Sequence, residues 1–239
     1  MFLQMNFELK PFNFDFNFGG KDKKPFEFPT ARYFVPEQLP EVSEEYLKYS
    51  DAEKLIDKID LHRNCRYFVI LNGSFIFGDL IEAIITKYDF HVKKLTISTL
   101  SLNQNNVDSL VNLLEGGYVE NLDLIISWFF FAHERHKDGL IPYIYEKLDN
   151  IENTNFQLSA CRSHCKIAQF ETFDGVYLNI HGSANLRTSD NLEQIVIEDN
   201  KSLYQWNDEW LSAISKKYRT INKNISGGSK ELWKTLKGE

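Results

Sequence analysis

Positive charge is what this chain has little of. Its 239 residues carry 27 Lys and Arg against 34 Asp and Glu, a formal net charge of −7. A protein that coats nucleic acid by bulk electrostatics needs the opposite sign, so that class is disfavoured, while a local basic groove is still allowed. Cysteine is scarce too, with three residues at Cys65, Cys161 and Cys165. An odd number gives no complete disulfide framework, and Cys161 with Cys165 lack the partners for a four-ligand zinc site, so ordinary reduced thiols are expected. Long apolar runs are missing. The longest, residues 122–132, contains Asp123 and Ser127 and is too short and too polar to span a bilayer. The opening Met1-Phe2-Leu3-Gln4-Met5-Asn6 has neither a basic n-region nor an apolar h-region. A cytoplasmic protein without a membrane partner is the expectation. There is no internal repeat, and no cluster of Asp and Glu of the kind that holds two metal ions.

What is present, from about residue 43 onward, is an alternation of helical and strand patterns. Ser43 through Ile59 reads as helix, with Leu55, Ile56 and Ile59 on one face. Residues 66–71 form a continuous apolar run, which predicts a strand buried on both faces. Asn72-Gly73-Ser74-Phe75 turns into a helix over 78–88, followed by a strand over 92–100. A helix over 103–114 is closed by Gly116-Gly117. A strand over 122–128, a helix over 131–148 disturbed at Pro142, and a strand over 156–160 follow. A last helix spans 203–214, with Trp206 and Trp210 four residues apart and read as packing. Strands alternating with helices argue an α/β fold with a parallel or mixed sheet, and ligand sites in such sheets lie at the carboxyl ends of strands.

The two ends differ from this body. Phe12, Phe14, Phe16 and Phe18 alternate with Asn and Asp, a half-buried strand pattern broken by Gly19-Gly20 and by Pro25, Pro29, Pro36 and Pro40. Residues 1–48 read as an irregular arm, lying over its own domain or reaching a second subunit. Residues 217–239 read as a basic tail jointed at Gly227-Gly228-Ser229 and suited to contacting nucleic acid. The main domain is expected over residues 49–216.

The chemistry concentrates between Ser163 and Gln194. His164 and Lys166 stand two apart, so an extended chain points both to one side and turns Cys165 away. A strand pattern over 175–180 then runs into Gly182-Ser183-Ala184-Asn185, with Glu193 before a further strand over 194–197. Read as residues alone, His164 and Lys166 are either a solvated face or a paired imidazole and ammonium. Gly182 to Asn185 is either a turn or a cluster of donors. His133-Glu134-Arg135-His136 is not a zinc-binding HExxH, and it reads as a rim segment where Arg135 could meet a phosphate.

Together these residues resemble the single-motif branch of the phospholipase D superfamily, whose pattern is HxK, an acidic residue about five positions on, GSxN and a later Glu. His164 and Lys166 match the first element, Gly182, Ser183 and Asn185 the third, and Glu193 the last. Glu171 stands at the acidic position in place of Asp, with Asp174 in the 173–175 turn as the alternative, and the gap to Gly182 is longer than usual. The resemblance implies a phospholipase D-like mixed sheet flanked by helices. It implies a metal-independent phosphodiesterase, most simply a nuclease, with no cofactor. One His attacks phosphorus, and a second protonates the leaving oxygen. With one motif per chain, the second His comes from a homodimer. Lys166, Ser183 and Asn185 would hold the phosphoryl oxygens, and Glu193 would orient His164. Asn72, Ser74, Gly182 and Arg135 would bind substrate; for Asn72 and Ser74 a simple turn is equally open. The alternative is a degenerate relative that binds nucleic acid or a protein without turnover.

Overall fold

The computed structural model describes residues 41–44, 52–61, 65–71, 75–136, 138–186 and 192–222. The alternating Phe12–Phe18 stretch, Asn72, Ser74 and the joint at 227–229 lie outside them.

Among the described residues nine strands form one mixed sheet: β1 Glu41–Glu44, β2 Cys65–Leu71, β3 Val92–Thr99, β4 Asn121–Ser127, β5 Asn155–Cys161, β6 Ile167–Thr172, β7 Tyr177–Gly182, β8 Glu193–Asp199 and β9 Arg219–Asn222. Their order across the sheet is β1-β2-β8-β7-β6-β3-β4-β5-β9. β3, β4 and β5 run parallel, as their helical crossovers require, and β6, β7, β8 and β2 are joined antiparallel. The helices are α1 Ala52–Ile56, α2 Phe77–Lys87, α3 Gln104–Glu115, α4 Trp128–Glu134, α5 Leu140–Asp149 and α6 Lys201–Lys217. The α/β expectation with a mixed, helix-flanked sheet therefore holds.

The two faces of the sheet differ in chemistry. One carries Leu95, Ile97, Leu124, Leu158, Phe170, Leu178, Ile180 and Ile197, which join the buried sides of α1, α2, α3 and α5 in a single apolar core. The other carries a row paired across the strands, Thr96, Gln169, Asn179 and Glu198, all buried and all polar. α6 covers part of that second face: Lys94 reaches Asp208 and Ser212, and Ser159 donates to the Ser215 carbonyl.

Four local expectations are corrected. Ser43 and Glu44 are strand, since β1 pairs in parallel with β2, and the helix shortens to α1. The 66–71 run is buried on one face only: Val69 and Leu71 point into the core, while Phe68 is 39% and Ile70 51% exposed. α6 lies over β4, β5 and β7 and leaves that side of β2 uncovered among the described residues. The helix expected over 131–148 is two helices, broken at residues 135–139 and not at Pro142. A Cβ on Gly139 would fall 2.1 Å from the Glu134 carbonyl oxygen, so only glycine lets the chain fold back there. The Glu134 carboxylate then accepts from the Leu140 amide at 3.1 Å and caps α5. Pro142 sits in the first turn of α5, where its missing N–H costs nothing. Finally, His164 and Lys166 lie in the 162–166 connection and not within a strand.

The sheet also reaches past residues 49–216 at both ends, taking in β1 and β9.

Candidate active site

The parallel strands β3, β4 and β5 end on one rim, and the antiparallel partners bring their opposite ends to it. Ser98 pairs with Ile167 at the start of β6, Ile167 with His181 near the end of β7, and Gly182 with Ile195 near the start of β8. The topology thus collects residues 163–166, 182–185 and 193–194 from three separate parts of the chain.

The 163–166 connection is held from below. Ser98 Oγ donates to the Cys165 carbonyl at 3.1 Å, Ser163 Oγ accepts from the Cys165 amide at 3.2 Å, and the two serine hydroxyls lie 3.4 Å apart. This fixes the backbone between the two candidate side chains. Lys166 Nζ then comes to 3.2 Å from His164 Nδ1 and 3.4 Å from the His164 carbonyl oxygen. The pair that the two-residue spacing put on one side does meet, although the chain there is not a strand. His164 is exposed and Lys166 half-buried. Burial, with the neighbouring Cys165 adding, pushes the Cys161 thiol's pKa up to about 11.

Gly182 places the second segment. Its amide donates to the Lys166 carbonyl at 3.3 Å, which sets the small-residue turn directly beside the His–Lys pair. A Cβ here would lie 2.0 Å from the Gln194 carbonyl oxygen and 2.8 Å from Ile195 Cα, so glycine is required by the close approach of β8. Ser183 closes the turn. Its amide donates to the Gln194 carbonyl at 2.8 Å, its hydroxyl accepts from the Gln194 amide at 2.9 Å and donates to the Glu193 carboxylate. Asn185 is placed by Oδ1, which accepts from the Leu100 amide at 3.2 Å. The same loop after β3 is pinned again by Leu186, whose amide donates to Thr99 Oγ1 at 3.2 Å.

Glu193 meets Ser183 and not His164; the imidazole's neighbour is Lys166. Glu171 lies at the other end of β6, paired with Lys93 at 3.0 Å, and Asp174 lies in the β6–β7 turn, so neither acidic candidate joins the rim cluster. Arg135 ends α4. The His133–His136 segment brings no metal-ligand set together: among the described residues no group of three metal-ligating side chains converges. Trp206 and Trp210 pack edge to face on α6, 6.4 Å between centroids.

Sequence reasoning missed a cleft of about 710 Å³ beside this cluster, bounded by the loop after β3 and by α4, with Phe129, His133 and Tyr143 among its walls. Its one signal was the unbroken aromatic run Trp128-Phe129-Phe130-Phe131, too many large rings for a seven-residue helix to bury on one side.

No protein-family model and no curated protein matches the sequence. Among the described residues no helix is long and apolar enough to cross a membrane. Solved structures with a similar fold include the phospholipase D family member Nuc from Salmonella typhimurium, at 13% identity over 67% of this chain and 98% of that one, with a TM-score of 0.45. NucT from Helicobacter pylori is similar at 14% identity over 64% and 98%, TM-score 0.44. Phosphatidylserine synthase from Haemophilus influenzae is similar at 15% identity over 73% and 45%, TM-score 0.44.

Proposed function

We propose that the chain is a phosphodiesterase acting on nucleic acid through a phospho-histidine, with Lys166 in place of a metal ion as the cation at the phosphoryl oxygens. The observation that carries this reading is the 3.2 Å approach of Lys166 Nζ to His164 Nδ1 beside the Gly182–Ser183 turn. An ammonium on Nδ1 leaves the ring proton of a neutral imidazole on Nε2, which is the acid form of that nitrogen. An arriving phosphodiester draws Lys166 onto its oxygens and releases Nδ1, so the proton can shift and Nε2 becomes a nucleophile. Nε2 then bonds to phosphorus as the P–O bond to the leaving group breaks. The departing oxygen takes a proton from His164 of the partner subunit, and water later cleaves the N–P bond, giving its own proton back to that imidazole. The Asn185 side-chain amide, whose Oδ1 is held by the Leu100 amide, adds an N–H donor at the phosphoryl group, and Ser183 holds the turn beside it through Glu193 and Gln194.

Two copies are needed because each chain brings one such histidine. The side of β2 left uncovered among the described residues, with Phe68 and Ile70 exposed, Val196 opposite Phe68 and Gln194 opposite Ile70, supports a two-fold interface on that face.

The experiment is hydrolysis of labelled single- and double-stranded DNA in excess EDTA. Turnover by the parent protein that disappears in His164→Ala, with the dimer intact, is the expected result. Full activity in His164→Ala overturns the assignment. A second reading, binding without turnover, draws on the Glu193 carboxylate being engaged with Ser183 and not with His164; tight binding with no EDTA-resistant hydrolysis would favour it.

A further inference from the structure

The cleft beside the rim has the chemistry of a flat, neutral ligand. Phe129 is 80% exposed, an unusual state for a phenyl ring, and it lines the opening. The His133 ring lies parallel to it, 7° between planes and 6.4 Å between centroids, so both rings offer faces in one orientation. Tyr143 forms part of the wall; its hydroxyl is spent on the Asp108 carboxylate and Lys147 Nζ stands 5.6 Å over its ring, so Phe129 is the ring left to stack on. Glu134 and Asp138 also line the cleft, and among the described lining residues there is no Lys or Arg. Such a lining repels phosphate and accepts an uncharged ring. Gln104, whose side chain also bonds Tyr143, brings an amide group to the cleft for a polar ring edge.

The cleft meets the candidate phosphodiester site at one residue of the loop after β3. Leu100 lines it, and the Leu100 amide is the group that Asn185 Oδ1 accepts from. A chain whose phosphate sits at Lys166 has its neighbouring base within the same rim. A paired base is already stacked and hydrogen-bonded, whereas an unpaired one is free to enter.

We propose that this cleft holds an unpaired nucleobase of single-stranded nucleic acid, stacked on Phe129. The inference rests on the phosphodiesterase reading for its class of substrate, but its test does not depend on turnover.

The test is binding by fluorescence anisotropy in a His164→Asn background, where cleavage cannot interfere. Labelled oligothymidylate is compared with an abasic oligomer of the same length and charge. The expected result is about tenfold tighter binding of oligothymidylate, as loss of one aromatic–base stack gives. Phe129→Ala should bring the ratio close to one, and Phe129→Trp should keep it. Because Phe129 is exposed, its removal spares the core, and a thermal melt checks this. Equal affinity for the two oligomers, a ratio that survives Phe129→Ala, or a duplex that binds as well as the single strand would each overturn the proposal. So would a change in sedimentation that moves with the ratio, because Phe129 would then belong to a subunit contact. A base-dependent ratio without any EDTA-resistant turnover in the His164 protein would sink the catalytic reading and leave the cleft assigned.

Discussion

Arg66 donates to Glu198 twice on the same oxygen, from Nε at 3.0 Å and from Nη2 at 2.8 Å. Glu198 is 1% exposed, and His181 Nε2 lies 3.4 Å from its other oxygen. Burial alone would raise this carboxyl's pKa. The hydrogen bonds from His181 and Arg66 and the Arg66 charge outweigh it and hold the pKa below the ordinary glutamate value. The pair ties β2 to β8 on the uncovered side of the sheet.

A carboxyl depressed in the folded state stabilises the fold fully above its unfolded pKa, about 4.3 for glutamate, and that contribution fades as pH falls through the folded value. Urea unfolding of the parent and of Glu198→Gln should therefore differ most at about pH 6 and converge in acid. Curves that stay parallel down to about pH 3 would refute this linkage. Removing the other partner is harsher. Arg66→Met leaves the buried carboxylate without its counter-ion and should cost about 3 kcal/mol, the low end for such pairs because the arginine side chain is 19% exposed. That corresponds to a fall in Tm on the order of 6–12 °C.

Gly182 gives a sharper test of how the site is built. Gly182→Ala drives a methyl group onto the Gln194 carbonyl and forces β8 away from β7. Overpacking of this kind costs about 2 kcal/mol, a Tm loss on the order of 4–8 °C. Ser183 moves with the strand, since both its amide and its hydroxyl are bonded to Gln194. Hydrolysis measured well below the melting range should then fall by more than tenfold, beyond what the unfolded fraction explains. A variant that melts lower yet turns over normally would show that the turn only connects strands.

Much of this was legible in the chain. Local periodicity carries helix and strand, so the α/β alternation, the helix over 103–114 with its Gly116 stop, and the strands expected over 92–100 and 122–128 could be read to within a residue. The rim cluster was legible through motif spacing, the HxK of His164 and Lys166, the GSxN of Gly182, Ser183 and Asn185 and the later Glu193, which together resemble a known family pattern. Non-local facts were hidden. That Phe68 and Ile70 face outward depends on α6 lying elsewhere. That Glu193 engages Ser183 depends on the register of β7 and β8. The break between α4 and α5 depends on Glu134 turning back onto Leu140, while Pro142, the visible signal, is harmless at a helix start.

The homodimer proposed for catalysis needs a face, and Ile70 offers the means to attack it. Its side chain is 51% exposed on the side of β2 that no described element covers. In a monomer, Ile70→Lys places an ammonium in water and should change stability by no more than about 0.5 kcal/mol. In a dimer packed on this face, the same ammonium would lose its hydration with no carboxylate partner, which costs several kcal/mol per copy and is doubled by the two-fold axis. Sedimentation should therefore show parent dimers and variant monomers at the same concentration, with the variant still folded and its melting lowered only by the lost subunit association. Hydrolysis should vanish in the variant although His164 and Lys166 are untouched, because the acid for the leaving oxygen comes from the second chain. A monomeric parent would remove the second imidazole and with it the proposed chemistry. An Ile70→Lys protein that stays dimeric and active would move the interface elsewhere and leave this apolar strip without a role in assembly.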